Sequence, residues 1–289
     1  MATVALIDGD ALVYKAAFSV EKTMYDVYEG TKLVTTVKSI REARSLGKFA
    51  VRQEAQSCLQ GYRHIDNMLD YIRFKTGCEH IVVYLTESDI RKNFRYAISN
   101  GTYKKQRKSI SKPLHYSNMR EYLTVRYDAE MAPAGLEADD YLAMNQTDET
   151  IIVSHDKDLL QVPGSHFSLT MSKVLEVTEP GSLILYADKA KTKRLTGTGF
   201  KFLCAQMLLG DEADNIQGIK GVGPVKIFKL FETLEKEKGY NLRMLINKIS
   251  SMYDTHGIDF KLNCDLLFLK RQGIDTLEQY LETLEQDNL

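Results

Sequence analysis

The chain lacks several things that would have narrowed its class at once. It has no tryptophan, five prolines and four cysteines in 289 residues. Cys58, Cys78, Cys204 and Cys264 stand far apart with no Cys-x-x-Cys pair, which argues against a zinc site or a disulfide framework. Free, mostly buried thiols in a reducing cytosol are expected instead. No apolar run reaches membrane-spanning length, and Asp8 and Asp10 interrupt the apolar start where a signal peptide needs an uncharged stretch. The expectation is a soluble, cytoplasmic protein without a membrane role. Strong charge of one sign is missing too: the formal net charge is −1, so the totals select no partner class. Internal repeats and low-complexity tracts are absent. The composition that remains, 44% hydrophobic and 27% charged, is globular, and the length allows one large domain or two smaller ones.

Buried-type strands are expected at "TVALIDGD", at "HIVVYLTES" (80–88) and at "ETIIVSHDKDLL" (149–160), with weaker ones at "HFSLTM" and "SLILYAD". "MYDVYEGTKLVTTVK" alternates β-formers around Glu29-Gly30 and predicts a hairpin. Residues 39 to 75 show helical periodicity, with Leu59, Ile65, Met68, Leu69 and Ile72 on one face. Strands alternating with helices predict an α/β architecture with a largely parallel central sheet flanked by helices. From about Thr196 onward the pattern is mainly helical. A composition shift at "KAKTKRLTG" therefore divides the chain into 1–195 and 196–289.

Charge is segregated locally. From Ile90 to Arg120 no acid occurs, while Arg91, Lys92, Arg95, Lys104, Lys105, Arg107, Lys108, Lys112 and Arg120 are basic and Tyr96, Tyr103 and Tyr116 are interleaved. Such a stretch suits a polyanion, and its aromatics suit stacking on unpaired bases. The acids cluster in turn. Asp8, Glu87, Asp156 and Asp158 follow the expected strands, at the edge of a parallel sheet where ligands bind. "GLEADD" adds Glu137, Asp139 and Asp140, and Asp211 and Asp214 share one face at i, i+3 spacing. Taken singly, each acid could cap a helix or hold a turn. Converging on one edge, they must take up protons or hold cations. All-oxygen ligation favours Mg2+ or Mn2+, and the number of ligands suits two ions. Carboxylates alone leave nuclease, phosphatase and polymerase chemistry open.

"NIQGIKGVGPVKIFKLF" places Gly218, Gly221 and Gly223 before a helix opening at Pro224. Such a turn lets backbone approach a phosphate, and Lys220, Lys226 and Lys229 reinforce that. It is neither a Walker loop nor a dinucleotide-binding fingerprint.

In order, "IDGD", "LTES", "YKKQR", "GLEADD", "SHDKDL" and "LLGDEADNIQGIKGVG" resemble the motif series of the 5′ nuclease family, the flap endonucleases and 5′–3′ exonucleases. The resemblance spans roughly residues 4 to 230. It implies a PIN-like α/β fold with a helical arch at about 90–122, and a helical C-terminal region carrying a helix–three-turn–helix element at 218–223. It also implies that Asp8, Glu87, Glu137, Asp139, Asp140, Asp156, Asp158, Asp211 and Asp214 hold two Mg2+ (or Mn2+). Lys104 and Arg107 would contact the scissile phosphate and, with Asp8, Asp140 and Asp156, make up the catalytic set. Arg95 matches a further arch-side arginine, Tyr103 lies where an aromatic can stack on a base, and Lys105 belongs to the same DNA-facing group. Gly218, Lys220, Gly221, Gly223 and Lys226 would grip duplex backbone, with a K+ ion on carbonyls of the turn. Glu87 departs from the family's usual Asp. Residues 20 to 60 form an extension to which no role is assigned.

These features together predict a monomeric, metal-dependent 5′–3′ exonuclease or flap endonuclease acting on DNA, in the host cytoplasm if phage-encoded. The alternatives are an RNase H-type enzyme acting on RNA–DNA hybrids, and a non-catalytic DNA-binding module.

Overall fold

Val4–Asp8 form the first strand (β1), with all but its first residue buried. Its alternation sends Ala5 and Ile7 to one apolar cluster and Leu6 to another on the opposite sheet face. Burial on both faces is the signature of a central parallel strand. The computed structural model describes residues 2–106 and 111–286.

After β1 come helix Gly9–Ser19 (α1), strands Glu21–Glu29 (β2) and Lys32–Val37 (β3), helix Ile40–Leu46 (α2), strand Lys48–Ala55 (β4) and helix Cys58–Thr76 (α3). Strand His80–Leu85 (β5), helices Phe94–Ile98 (α4) and Tyr116–Tyr127 (α5), and strand Glu130–Met131 (β6) follow. Helix Ala138–Met144 (α6) precedes strands Thr150–Ser154 (β7), Gly164–Ser168 (β8) and Lys173–Val177 (β9). Strands Ser182–Ala187 (β10) and Lys193–Thr198 (β11) form a hairpin, then helix Gly199–Leu209 (α7) leads to the short strands Gly210–Asp211 (β12) and Ile216–Gln217 (β13). Helices Pro224–Leu234 (α8), Leu242–His256 (α9), Phe260–Leu267 (α10) and Leu277–Gln286 (α11) complete the chain.

The central sheet runs β6-β5-β1-β7-β8-β9. Its pairings are parallel except for β9, which turns back antiparallel on β8. Ile7 sits beside Val83 on one side and Val153 on the other. α1, α3 and α5 cover the face that carries Ile7, with Leu12, Ile65, Leu69 and Met119 packed into it. The other face, with Leu6, Tyr84 and Ile152, takes Leu142 of α6, Leu159 and Leu269. Each such side chain, fully buried, contributes about 1.5–3 kcal/mol. A third cluster joins the C-terminal helices through Phe200, Leu203, Ile227, Phe231, Ile249 and Leu281.

Local signals explain the boundaries. Asp8 caps α1 by accepting from Ala11 N at 3.0 Å. Ser57 caps α3, and Gly77 ends it in the left-handed region at φ 72°. α8 opens with Pro224 directly after Gly223.

One expectation needs correction. Within 39–75 only 40–46 and 58–76 are helical, because 48–55 pairs antiparallel with β2 to build the sheet β3-β2-β4. The composition shift at 190–196 falls on β11, which pairs with β10 and packs on α7 and α8. The described cysteines are free, and three of the four are buried. No described helix is long and apolar enough to cross a membrane.

Candidate active site

The parallel strands β1, β5 and β7 point their C-terminal ends at one edge, and the chain places acids there. A cleft of about 70 Å3 at this edge is lined by Glu137, Asp139, Asp156, Asp158, Asp211 and Asp214, together with Arg95, Tyr103 and Lys104. A larger cavity of about 240 Å3 adjoins it across Asp156, walled by apolar side chains such as Ile152, Leu159 and Phe167 and by polar ones such as Ser154, His155 and Thr170. Asp156 is its single carboxylate, so the acid chemistry belongs to the smaller cleft.

Mutual repulsion sorts the carboxylates into two groups that share Asp156. Asp139 is pushed well above the usual carboxylate range, first by burial and then by the charges of Asp8, Asp156 and Glu137. Asp8 is raised to about 6 by burial, then by Asp10, with a smaller push from Asp156. On the other side Asp158 is raised to about 7 by burial and then chiefly by Asp156, with Asp211 and Asp214 adding to it. Oxygen-rich groups that resist full ionisation are the kind of donors that hard divalent cations take. Among the described residues, however, no three His, Cys, Asp or Glu side chains already form a ligand group around one point.

Protein cations and amides hold these acids meanwhile. Lys104 Nζ lies 2.5 Å from Glu137 Oε1 and 3.8 Å from Asp214 Oδ2, and its backbone N donates to Asp214 O at 3.0 Å. Burial would raise Glu137, but Lys104 and Arg95 outweigh it and keep the carboxyl below its ordinary value. Asp211 Oδ1 accepts from Ala213 N and Asp214 N at 2.7 and 3.2 Å. Asp156 Oδ1 accepts from Asp158 N at 2.8 Å. Asp8, besides capping α1, accepts from Ser154 Oγ at 2.9 Å.

Four expected roles change. Arg95 is 1% exposed and cannot face DNA: its guanidinium pairs with both oxygens of Asp140 at 2.6 and 2.7 Å and donates to Leu266 O and Phe268 O. Asp140, 0% exposed, also accepts from the Glu137 and Lys270 amides, so it has no oxygen left for a metal. Tyr103 is turned inward rather than offered for stacking; its hydroxyl lies 2.9 Å from Glu137 Oε2 and 3.1 Å from Asp214 Oδ2. Glu87 pairs with Lys92 at 3.0 Å and does not line the cleft. Lys105 is exposed beside Lys104. Arg107 lies outside the described residues.

The glycine turn is tightly built. A Cβ on Gly218 would fall 2.2 Å from Leu209 O, so only glycine allows β12 and β13 to close. Gly221 has φ +79° with open space around it. Lys226 Nζ donates to Gly221 O at 2.8 Å, which places an ammonium on a carbonyl where K+ was expected. Lys220 and Lys226 are exposed, and Gly223 precedes the free start of α8.

Sequence reasoning passed over Asp10 and Gln206 as contributors, and over the partner that Arg120 takes. Asp10 accepts from Arg120 at 2.7 Å and from Thr86 N at 2.9 Å, and Arg120 also donates to Thr86 O at 2.7 Å. This ties the start of α1, the end of β5 and α5 together. Gln206 on α7 donates to Asp158 Oδ1 at 2.6 Å. The second acid of "IDGD" and a lone amide inside "FLCAQMLL" were the available signals.

No family model matches the chain. It is 28% identical over 212 residues to a 5′–3′ exonuclease of Aquifex aeolicus, covering 65% of this chain and 70% of that protein. It is 34% identical over 110 residues to DNA polymerase I of Borreliella burgdorferi, covering 35% of this chain and 12% of the polymerase. In fold it is similar to a bacteriophage T5 protein co-crystallised with metal ions, at 14% identity and a TM-score of 0.52, covering 98% of this chain and 97% of the other. A bacteriophage T5 flap endonuclease in a pseudo-enzyme–product complex with DNA and metal ions gives 13% identity and a TM-score of 0.53, covering 98% of both chains. The resemblance to the 5′ nuclease family stands on both sequence and fold.

Proposed function

We propose that the protein is a divalent-metal-dependent 5′ nuclease that hydrolyses phosphodiester bonds near DNA 5′ ends, in replication, recombination or repair. The products would carry 5′-phosphate and 3′-hydroxyl. One observation carries this reading: six carboxylates and Lys104 gather in one cleft at the C-terminal edge of a parallel sheet. A relative named 5′–3′ exonuclease supports the choice of reaction.

The ligands would come from Asp8, Asp139 and Asp156 on one side and from Asp156, Asp158, Asp211 and Asp214 on the other. Two Mg2+ or Mn2+ ions bound there would supply an activated water and offset charge on the leaving oxygen. The chain's own part is positioning and charge. Tyr103, whose pKa burial raises well above the ordinary value, stays protonated and bridges Glu137 to Asp214. Lys104 neutralises Glu137 and turns toward a phosphate oxygen when substrate enters, with Arg107 as its partner. Residues up to about 195, together with Asp211 and Asp214, would carry the chemistry. Residues 196–289 would grip duplex backbone through the turn at 218–223, fixing where the cut falls.

The test is cleavage of 5′-labelled flap and recessed duplexes with Mg2+ by the wild type, Asp156→Asn and Asp158→Asn. The wild type should cut and both variants should lose at least about a hundredfold in rate, the order of loss that follows removal of one transition-state charge partner. Unchanged cleavage by either variant refutes the assignment. A cleavage position unmoved in Gly221→Pro refutes the role given to the turn.

A further inference from the structure

The extension between α1 and α3 is a small unit of its own. β3-β2-β4 forms one layer, and α2 packs on it through Val27, Val37 and Ala43, with Tyr25 and Phe49 alongside. Three of the five acids of this unit are engaged by neighbours, while Glu29 and Glu42 are exposed. Asp26 pairs with Arg52 at 2.9 Å and accepts from Thr36 at 2.6 Å, which lowers its pKa. Glu54 also pairs with Arg52, and Glu21 accepts from Gln53 and from Leu114 N. The remaining cations are not consumed. Lys38, Arg41, Arg44 and Lys48 are all exposed, and none takes an ion pair among the described residues. Arg41 and Arg44 stand at i, i+3 on α2, with Lys38 just before its cap Ser39 and Lys48 just after its end. Two exposed cations on α2 and one on either side of it, against the single acid Glu42 on the helix, make a basic surface whose chemistry suits phosphate.

Its place in the fold says which phosphates. The root of the extension is pinned to the end of the basic stretch: Leu114 N donates to Glu21 Oε2 at 2.6 Å, and His115 Nε2 donates to Gln56 O at 2.7 Å. The helices it joins, α1 and α3, cover the sheet face that carries Ile7. The glycine turn lies on the other side: Ile219 belongs to the cluster of the C-terminal helices, and α7 packs on the turn at 158–161, beneath the face that carries Leu6. The carboxylate edge lies between. On the nuclease reading, a substrate whose duplex is held on the glycine-turn side would send its single-stranded 5′ arm toward the opposite side, where the extension lies.

We infer that the β2–β4/α2 extension, through Lys38, Arg41, Arg44 and Lys48, is a rest for the single-stranded 5′ arm of the substrate. This rests on the nuclease reading above. The four side chains track phosphates without reading sequence, and the extension carries no carboxylate of the cleft, so it adds affinity and leaves the chemistry untouched.

The test compares wild type with the combined variant Lys38→Gln, Arg41→Gln, Arg44→Gln, Lys48→Gln. Binding is measured by fluorescence anisotropy in EDTA, on a labelled blunt duplex and on the same duplex with a long 5′ oligo-dT arm, over a range of salt. Single-turnover cleavage with Mg2+ at saturating enzyme is measured in parallel. The variant should bind the armed substrate about tenfold or more weakly, with the slope of log K against log salt reduced by up to about 3, since each single-strand phosphate contact contributes roughly 0.7. Binding of the blunt duplex and the saturated cleavage rate should not change. Ser45→Lys, which adds a cation between Arg41 and Lys48, should tighten binding of the armed substrate. Unchanged affinity for the armed substrate overturns the inference, and an equal loss on both substrates moves the contact to duplex and also overturns it. Absence of cleavage by the wild type refutes the nuclease reading alone, because the anisotropy comparison needs no catalysis. Surface changes of this kind stay within about 0.5 kcal/mol of stability, and the unchanged blunt-duplex affinity confirms a folded variant.

Discussion

Removing the Asp140 carboxylate should damage the fold before it damages the chemistry. Arg95 and Asp140 are 1% and 0% exposed and joined by two short bonds of 2.6 and 2.7 Å. Burial by itself would lower the Arg95 pKa, and the Asp140 carboxylate beside it more than offsets that and raises it. Asp140→Ala therefore strands a guanidinium that cannot shed its proton, a defect that costs about 3–5 kcal/mol. A chain of this size loses roughly 2–4 °C per kcal/mol, so the melting temperature should fall by about 10 °C or more. Arg95→Met should cost a similar amount. The double variant Arg95→Met/Asp140→Leu should recover much of the loss, because two apolar side chains replace a matched pair. Thermal and urea unfolding followed by circular dichroism, with cleavage assayed well below the transition, separates the two roles. Asp140→Ala with an unchanged melting temperature and abolished cleavage would show that Asp140 serves the reaction directly, and the structural argument would fail.

Three further outcomes follow from the geometry. Asp158 and Asp8 have folded pKa values raised to about 7 and about 6. Their protons stabilise the folded state fully below the unfolded value and are lost as pH rises through the folded one, so the EDTA-treated protein should melt lower at about pH 8 than at about pH 5.5. Added Mg2+ should raise the melting temperature at the higher pH, and a metal-free protein most stable at high pH would refute this. Gly218→Ala should destabilise by several kcal/mol because its Cβ meets the Leu209 carbonyl, whereas Gly221→Ala, strained only by its positive φ, should cost about 1–2 kcal/mol; equal losses in urea unfolding would contradict that. Tyr103→Phe removes the hydroxyl between Glu137 and Asp214 and should cost about 1 kcal/mol of stability. It should also raise the Mg2+ concentration needed for half-maximal cleavage, and an unchanged Mg2+ titration would remove Tyr103 from the site.

What the sequence revealed depended on how local each signal was. β1, β5 and β7 were visible as short apolar runs because both their faces are buried, and the acids after them marked the working edge. The hairpin at Glu29-Gly30 was visible from a different local signal, alternating β-formers on either side of a turn, and Glu29 pairs with Lys32 across it. β4 was invisible, since most of its residues are exposed and its existence depends on pairing with β2. Arg95 and Tyr103 looked like DNA contacts because sequence records that a residue is basic or aromatic and not which way it points. Their inward turn is imposed by partners at residues 137, 140, 214, 266 and 268, and no spacing within the 90–120 stretch encodes those. Gln206 needed tertiary contact for the same reason.

The segment from Leu266 to Arg271 gives Arg95 two carbonyls and Asp140 an amide, and Gln161 bonds to Leu267 O and Leu269 N. It supplies those contacts to residues more than a hundred positions earlier in the chain, as the Gln161–Leu267 bond shows at a separation of 106. On a ribosome residues 8 to 214, which carry the acids, are made before the clasp at 266–271 that steadies them. A nascent chain lacking this segment leaves the buried Arg95 without its carbonyl acceptors, so the acids settle only once residues 266–271 have emerged. The order of translation thereby makes the final shape of the acid-lined edge wait on a segment more than fifty residues beyond the last of its acids.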